Sequence, residues 1–336
     1  MKALWVASAA LLACSCGRYA DFSLPPPDTA GPAGPFRWEQ QASPVITRGG
    51  ANDWDSTDVL NPSVVRFGGH YLNLYSGFDG KTWHTGIAES SDGIAWTKRG
   101  RILSPDRGLS PGDWEGTYIA ANGSVLEFQR ELLYWYQAGN PPRIALATSR
   151  DGKNWTRHGK AVVPLGPRGS FDERGVADPD VIRRGEDFYL FYLGQDRARR
   201  QRLGLARSRD GVVWEKLRTN PVLELGATGT FDENGLGEPA VWTSGGSYWM
   251  LYTGRDRGER RRMGLARSSD GVHWERDSAF APVGGNQSWD REVLCDPSIE
   301  VSGDSVRVWF GGGDVPAPDH GIHGQIGLGV LKTPGP

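Results

Sequence analysis

The chain has 336 residues, a formal net charge of −2 and 38% apolar side chains, enough to bury a large core and too balanced to favour nucleic acid. Glycine (47) and tryptophan (14) are abundant, and no long heptad or amphipathic helical pattern appears. Turns and aromatic-rich strands are what this composition supports.

The chain opens as a targeting segment. Lys2 is followed by an apolar stretch, Ala3 to Ala13, too short to span a bilayer as a stable anchor. It ends in Leu11-Leu12-Ala13-Cys14, which resembles the lipobox of bacterial lipoproteins. That resemblance implies removal of residues 1–13, lipidation at Cys14 and a place in the bacterial cell envelope, periplasmic or surface-facing. A plain secretory signal is the alternative. Residues 14–35 carry Pro25-Pro26-Pro27 and little to bury, so they read as an extended tether. Cys16 falls in that tether and Cys295 stands alone beyond it, so no stabilising disulfide is expected.

From residue 36 to 333 the sequence repeats. Ser-x-Asp-Gly-x-x-Trp ends at Trp96, Trp155, Trp214 and Trp274, a step of about 60 residues. Asp-Gly suits a tight turn, because glycine accepts positive φ. The tryptophans read as core clamps with an anchored indole N–H. A second element starts each unit: Asn61-Pro62, Asn122-Gly123, Asp178-Pro179, Glu238-Pro239 and Asp296-Pro297, each followed by a strand-like run. An aromatic-acid pair precedes each of these, with acids at Asp55, Glu115, Asp172, Asp232 and Asp290. Its repetition argues that these acids tie the connections together. The prediction is an all-β, five-bladed β-propeller with four-stranded blades. Trp38 continues the tryptophan period, and the last repeat lacks its own outer strand. Residues from about 36 to 46 are therefore expected to close the fifth blade against residues 326–331. The sialidase Asp-box is set aside, because it has an extra residue between Asp and Gly.

Asn61-Pro62-Ser63-Val64-Val65-Arg66-Phe67 resembles the first-blade start of glycoside hydrolase family 43 and its fructosidase, levansucrase and arabinanase relatives, and more distantly family 130. The likeness covers nearly all of 36–333. It implies catalysis on a glycan at a central pocket, with Glu238 as general acid and Asp178 as the residue that tunes it. The first-blade base position holds Asn61, and an amide cannot take a proton from water at neutral pH. Three readings stay open. Asp58, or Asp55, supplies the base; phosphate replaces water as nucleophile; or the site keeps sugar binding without chemistry. Asp296 is a further carboxylate at the fifth position.

Candidate sugar contacts are Asn61, Asn122, Asp296, His323 and the connection tryptophans Trp54, Trp114 and Trp289, which either stack on a sugar or pack between blades. Two arginine-rich loops, 197–202 and 255–262, are expected near the pocket mouth, where they would favour an anionic glycan. No metal ligand set is assigned and no cofactor is required; an oxygen-rich centre would suit calcium over a transition metal. The expected partner is a carbohydrate, with no nucleic acid, membrane contact through the lipid anchor alone, and a monomeric chain.

Overall fold

The computed structural model describes residues 19–105 and 114–333, so Cys14 and Cys16 lie outside the described residues. Every regular element among them is a β-strand. Two short strands come first, β1 (Tyr19–Ala20) and β2 (Arg37–Gln40). Antiparallel four-stranded sheets then follow in chain order. The first is β3 (Asp58–Phe67), β4 (His70–Phe78), β5 (Trp83–Ser90) and β6 (Thr97–Leu103). The second is β7 (Ala120–Phe128), β8 (Glu131–Ala138), β9 (Arg143–Ser149) and β10 (Thr156–Arg157). The third is β11 (Gly175–Arg184), β12 (Asp187–Gln195), β13 (Gln201–Ser208) and β14 (Glu215–Leu217). The fourth is β15 (Gly235–Ser244), β16 (Ser247–Arg255), β17 (Arg261–Ser268) and β18 (Glu275–Arg276). Last come β19 (Val293–Ser302), β20 (Ser305–Gly313) and β21 (Gln325–Lys332), whose outer neighbour is β2 from the start of the chain. Trp38 faces Leu331 across that pairing, and Ile46 bridges Ile326.

The repeat residues act locally as their chemistry suggests. The Ser90 hydroxyl accepts the N–H groups of Asp92 and Gly93, and Asp92 Oδ1 accepts those of Ile94 and Ala95. Gly93 takes φ +75°, and the Trp96 indole donates back to its carbonyl at 3.1 Å. The same closure recurs at Trp155, Trp214 and Trp274.

Side chains buried between successive sheets form the core. Leu133 and Trp135 of the second sheet meet Val181, Phe188 and Trp214 of the third; Tyr71 and Tyr75 of the first meet Trp309 and Leu328 of the last. The inner strands lie side by side in the order β3, β7, β11, β15, β19, and β19 returns to β3. Side chains latch these neighbours. Ser63 accepts the Val125 N–H at 2.8 Å, Ser124 that of Val181 at 3.0 Å, Asp180 that of Val241 at 2.8 Å, and Ser298 that of Val64 at 3.0 Å.

The described part of the expected tether is docked on the sheets. β1 pairs with β14, Leu24 is buried against Gly271, and Asp28 accepts from Arg184 and Thr243. Phe36 packs edge-on against Trp249, with ring centroids 5.0 Å apart. Proline-rich sequence has few donors to bury, but its carbonyls still serve: Tyr248 donates to the Pro25 carbonyl at 2.6 Å.

Candidate active site

The five residues that start the repeats share one unusual conformation. Asn61, Asn122, Asp178, Glu238 and Asp296 have φ of 47°, 49°, 46°, 46° and 53°. Left-handed backbone is disfavoured by about 1–2 kcal/mol for a residue with a Cβ. Asparagine and aspartate tolerate it best, so Glu238 is the exception. At each of these positions the pairing with the next strand slips. Such bulges turn a side chain out of the ordinary alternation. Proline follows four of the five, where no ladder N–H is needed.

All five line a cavity of about 220 Å³ on the face where the inner strands begin, and all five line a second cavity of about 300 Å³ on the opposite face. Neighbours in the ring touch. The Asn61 N–H donates to Asp296 Oδ2 at 3.1 Å, and Asn122 Nδ2 lies 3.5 Å from Asp178 Oδ1. Burial, then the charges of Glu238 and Asp296, hold the Asp178 carboxyl well above the usual carboxylate range. Burial and Glu238 push Asp296 up to about 8, against the pull of the Arg261 guanidinium. Glu238 differs from both, because its Oε2 is buried without a hydrogen-bond partner.

Not every expected residue reaches this site. Asp58 is fully buried, and its two oxygens accept the backbone N–H groups of Gly321 (2.6 Å) and Gly324 (2.8 Å). Both oxygens are held by a loop, and Asp58 does not line the cavity. Asp55 is buried between Lys98, at 2.6 Å, and the Tyr75 hydroxyl. The other connection acids behave alike: Glu115 pairs with Arg157, Asp172 with Lys216 and Asp232 with Arg276, while Asp290 accepts from Gln40.

The connection tryptophans are away from the cavity too. Trp54 stacks on Tyr75 in a slot left by Gly77 and Gly86, where a Cβ would come within 2.3 Å of its ring. Trp289 stacks on Phe310, and the Trp114 indole donates to the Gly159 carbonyl. His323 pairs with Asp314 on an exposed loop.

The arginine loops do border the mouth, through Gln201, Arg255 and Arg261. Most of their charges are already met by carboxylates: Arg197 by Glu173, Arg202 by Asp196 and Glu224, Arg257 by Glu233, Arg260 by Glu292. Arg261 is buried; it donates to the carbonyls of Ala317 and Pro318 and faces Glu238 and Asp296 electrostatically.

Sequence reasoning missed Trp83, Gln137, Gln195, Thr253 and Asp319, which also line the cavity. Gln195 and Arg255 each lie three residues after a repeated buried tyrosine, Tyr192 and Tyr252, and that offset was a usable signal. Among the described residues, no group of three or more His, Cys, Asp or Glu side chains is arranged to hold a metal ion.

Comparison with known proteins agrees with this architecture. The glycosyl hydrolases family 32 N-terminal domain matches residues 143–295. An uncharacterized protein of Mycobacterium tuberculosis is 29% identical over 245 residues, 65% of this chain and 75% of that protein. Sucrose-6-phosphate hydrolase of Bacillus subtilis is 28% identical over 167 residues, 48% of this chain and 33% of that enzyme. A solved glycosyl hydrolase from Bacteroides ovatus superposes with a TM-score of 0.69 at 17% identity, covering 90% of this chain and 96% of that one. A structure from the family 130 mannoside phosphorylases, described as containing hydrolases of β-1,2 mannosidic linkages in Candida mannan, gives 0.67 at 17%, covering 93% and 97%. The chain resembles the propeller glycoside hydrolases in sequence and shares their fold, as its repeats imply.

Proposed function

We propose that this chain is an extracytoplasmic glycoside hydrolase: a monomeric five-bladed propeller, closed by β2 and held to the envelope through Cys14. The observation that carries the reading is Glu238. Its carboxyl leaves a strained bulge, stands beside two carboxyls of raised proton affinity, and has one oxygen buried without a partner. A carboxyl so placed has an oxygen free to meet a glycosidic oxygen. Backbone strain of this kind points toward a functional site.

In this reading an inverting mechanism operates. Glu238 protonates the leaving oxygen as water adds to the opposite face of the sugar. Asp178, beside Glu238 in the ring, orients the sugar. Asn61, Asn122 and Thr253 offer hydrogen bonds to sugar hydroxyls. The ion pairs in the arginine loops favour a neutral sugar over the anionic one that their sequence suggests. The chemistry uses no cofactor.

A second reading is favoured by Asn61 and by the commitment of Asp58 to backbone: a propeller that binds carbohydrate without cleaving it. A screen of aryl glycosides and oligosaccharides, with and without phosphate, separates the two. Cleavage without phosphate that disappears in Glu238→Gln supports the hydrolase. Turnover unchanged in that variant removes Glu238 from the mechanism, and cleavage only with phosphate indicates phosphorolysis. Saturable binding with no turnover under any condition establishes the second reading.

A further inference from the structure

The ring places its two amides and three acids in sequence. Glu238 has Asp178 and Asp296 as its neighbours, whereas Asn61 and Asn122 occupy the far side. Each acidic neighbour is already engaged by an amide: the Asn61 N–H donates to Asp296 at 3.1 Å, and Asn122 lies 3.5 Å from Asp178. An inverting pair needs its carboxyls about 6.5–9.5 Å apart. An acid across the cavity from Glu238, on the side of the amides, suits that spacing.

Among the described residues one further carboxylate lines the cavity, and it belongs to no repeat. Asp319 sits on the loop 314–324 that joins β20 to β21. This loop is pinned across the first and second sheets. Asp58 of β3 binds the N–H groups of Gly321 and Gly324, and His320 stacks on Phe78 of β4 with centroids 4.7 Å apart. The Tyr118 hydroxyl, just before β7, donates to the Asp319 carboxylate. Arg261 fixes the near end through the carbonyls of Ala317 and Pro318, at 3.1 and 2.8 Å. A buried aspartate and a buried arginine are thus spent on holding a surface loop whose acid faces the cavity.

We propose that Asp319 is the general base that the Asn61 position lacks, with Tyr118 as its positioning residue. The assignment rests on the hydrolase reading above. Asp319 is exposed at the mouth, where water reaches it, and the Tyr118 hydroxyl fixes one of its oxygens. In the step, a water oxygen bonds to the anomeric carbon and gives its proton to Asp319. The bond from that carbon to the glycosidic oxygen breaks, its electron pair stays on the leaving oxygen, and Glu238 supplies the proton to that oxygen.

The test uses the full chain and an aryl glycoside that the wild type cleaves. Asp319→Ala should lower kcat by about 10²–10⁴-fold with KM little changed. Sodium azide should restore turnover in that variant and give a glycosyl azide of inverted anomeric configuration, seen by NMR. A merely structural role would not produce that rescue. Tyr118→Phe should lower kcat with KM little changed, because the base carboxylate is then free to turn away from the water. Near-wild-type kcat in Asp319→Ala, or loss of kcat without azide rescue while the melting temperature is unchanged, would overturn the assignment. If Glu238→Gln is then inactive, the hydrolase reading survives that failure. A wild type that cleaves nothing overturns both.

Discussion

Lys216 shows how much charge this protein buries away from its cavity. Its ammonium lies against Asp172 and the Pro164 carbonyl, with side chains 4% and 0% exposed. Burial lowers the proton affinity of Lys216, and the Asp172 charge restores part of it. Removing one partner of such a pair leaves an uncompensated charge. Lys216→Met should cost about 3–5 kcal/mol in chemical denaturation. Asp296 behaves in the opposite sense. Folded, it keeps its proton up to about pH 8, while an unfolded aspartate releases it near the ordinary carboxylate value. The folded state therefore binds more protons across that window, and stability falls as pH rises through it. Thermal melts between about pH 5 and 8 should show this decline, and Asp296→Asn should flatten it. Asp178 shifts in the same direction and leaves a residual slope.

Among the strands, β2 is the informative one. In the other sheets a cation two residues past the repeated tryptophan meets the connection acid: Lys98, Arg157, Lys216 and Arg276. In β2 the corresponding residue is Gln40, 2.6 Å from Asp290. Burial raises the Asp290 carboxyl against the hydrogen bonds of Gln287 and Gln40, and among the described residues no cation pairs with it. Gln40→Lys should supply the missing charge, lower the Asp290 pKa and stabilise the protein by about 1 kcal/mol, read as a small rise in Tm. This offset was visible in the sequence, since Trp38 and Gln40 keep the repeat spacing. What the repeat could not show was the direction of the connection aromatics. Trp54, Trp114 and Trp289 turn inward because paired glycines or neighbouring carbonyls leave slots for them, and those slots form only when the strands are paired.

Across the whole molecule, residues 19–36 bind the third, fourth and last sheets together. β1 adds to β14, Asp28 reaches Arg184 and Thr243, and Phe36 enters the core with Trp242 and Trp249. Leu24 is 6% exposed, and its burial contributes about 2–3 kcal/mol. Leu24→Asp should release this strap without unfolding the sheets: amide exchange over residues 19–35 should rise by about an order of magnitude or more while β3–β5 stay protected. The sequence by itself determined the strands, the repeat and the five central positions, because each depends on local patterns of glycine, proline and alternating apolar residues. The tertiary structure decided which acids are available for chemistry. Asp58 and Asp319 are both acids of unremarkable sequence context, yet one is locked onto backbone N–H groups and the other faces the cavity. That difference arises from a loop of the last sheet folding over the first two, a contact between residues more than 250 positions apart that no local pattern encodes.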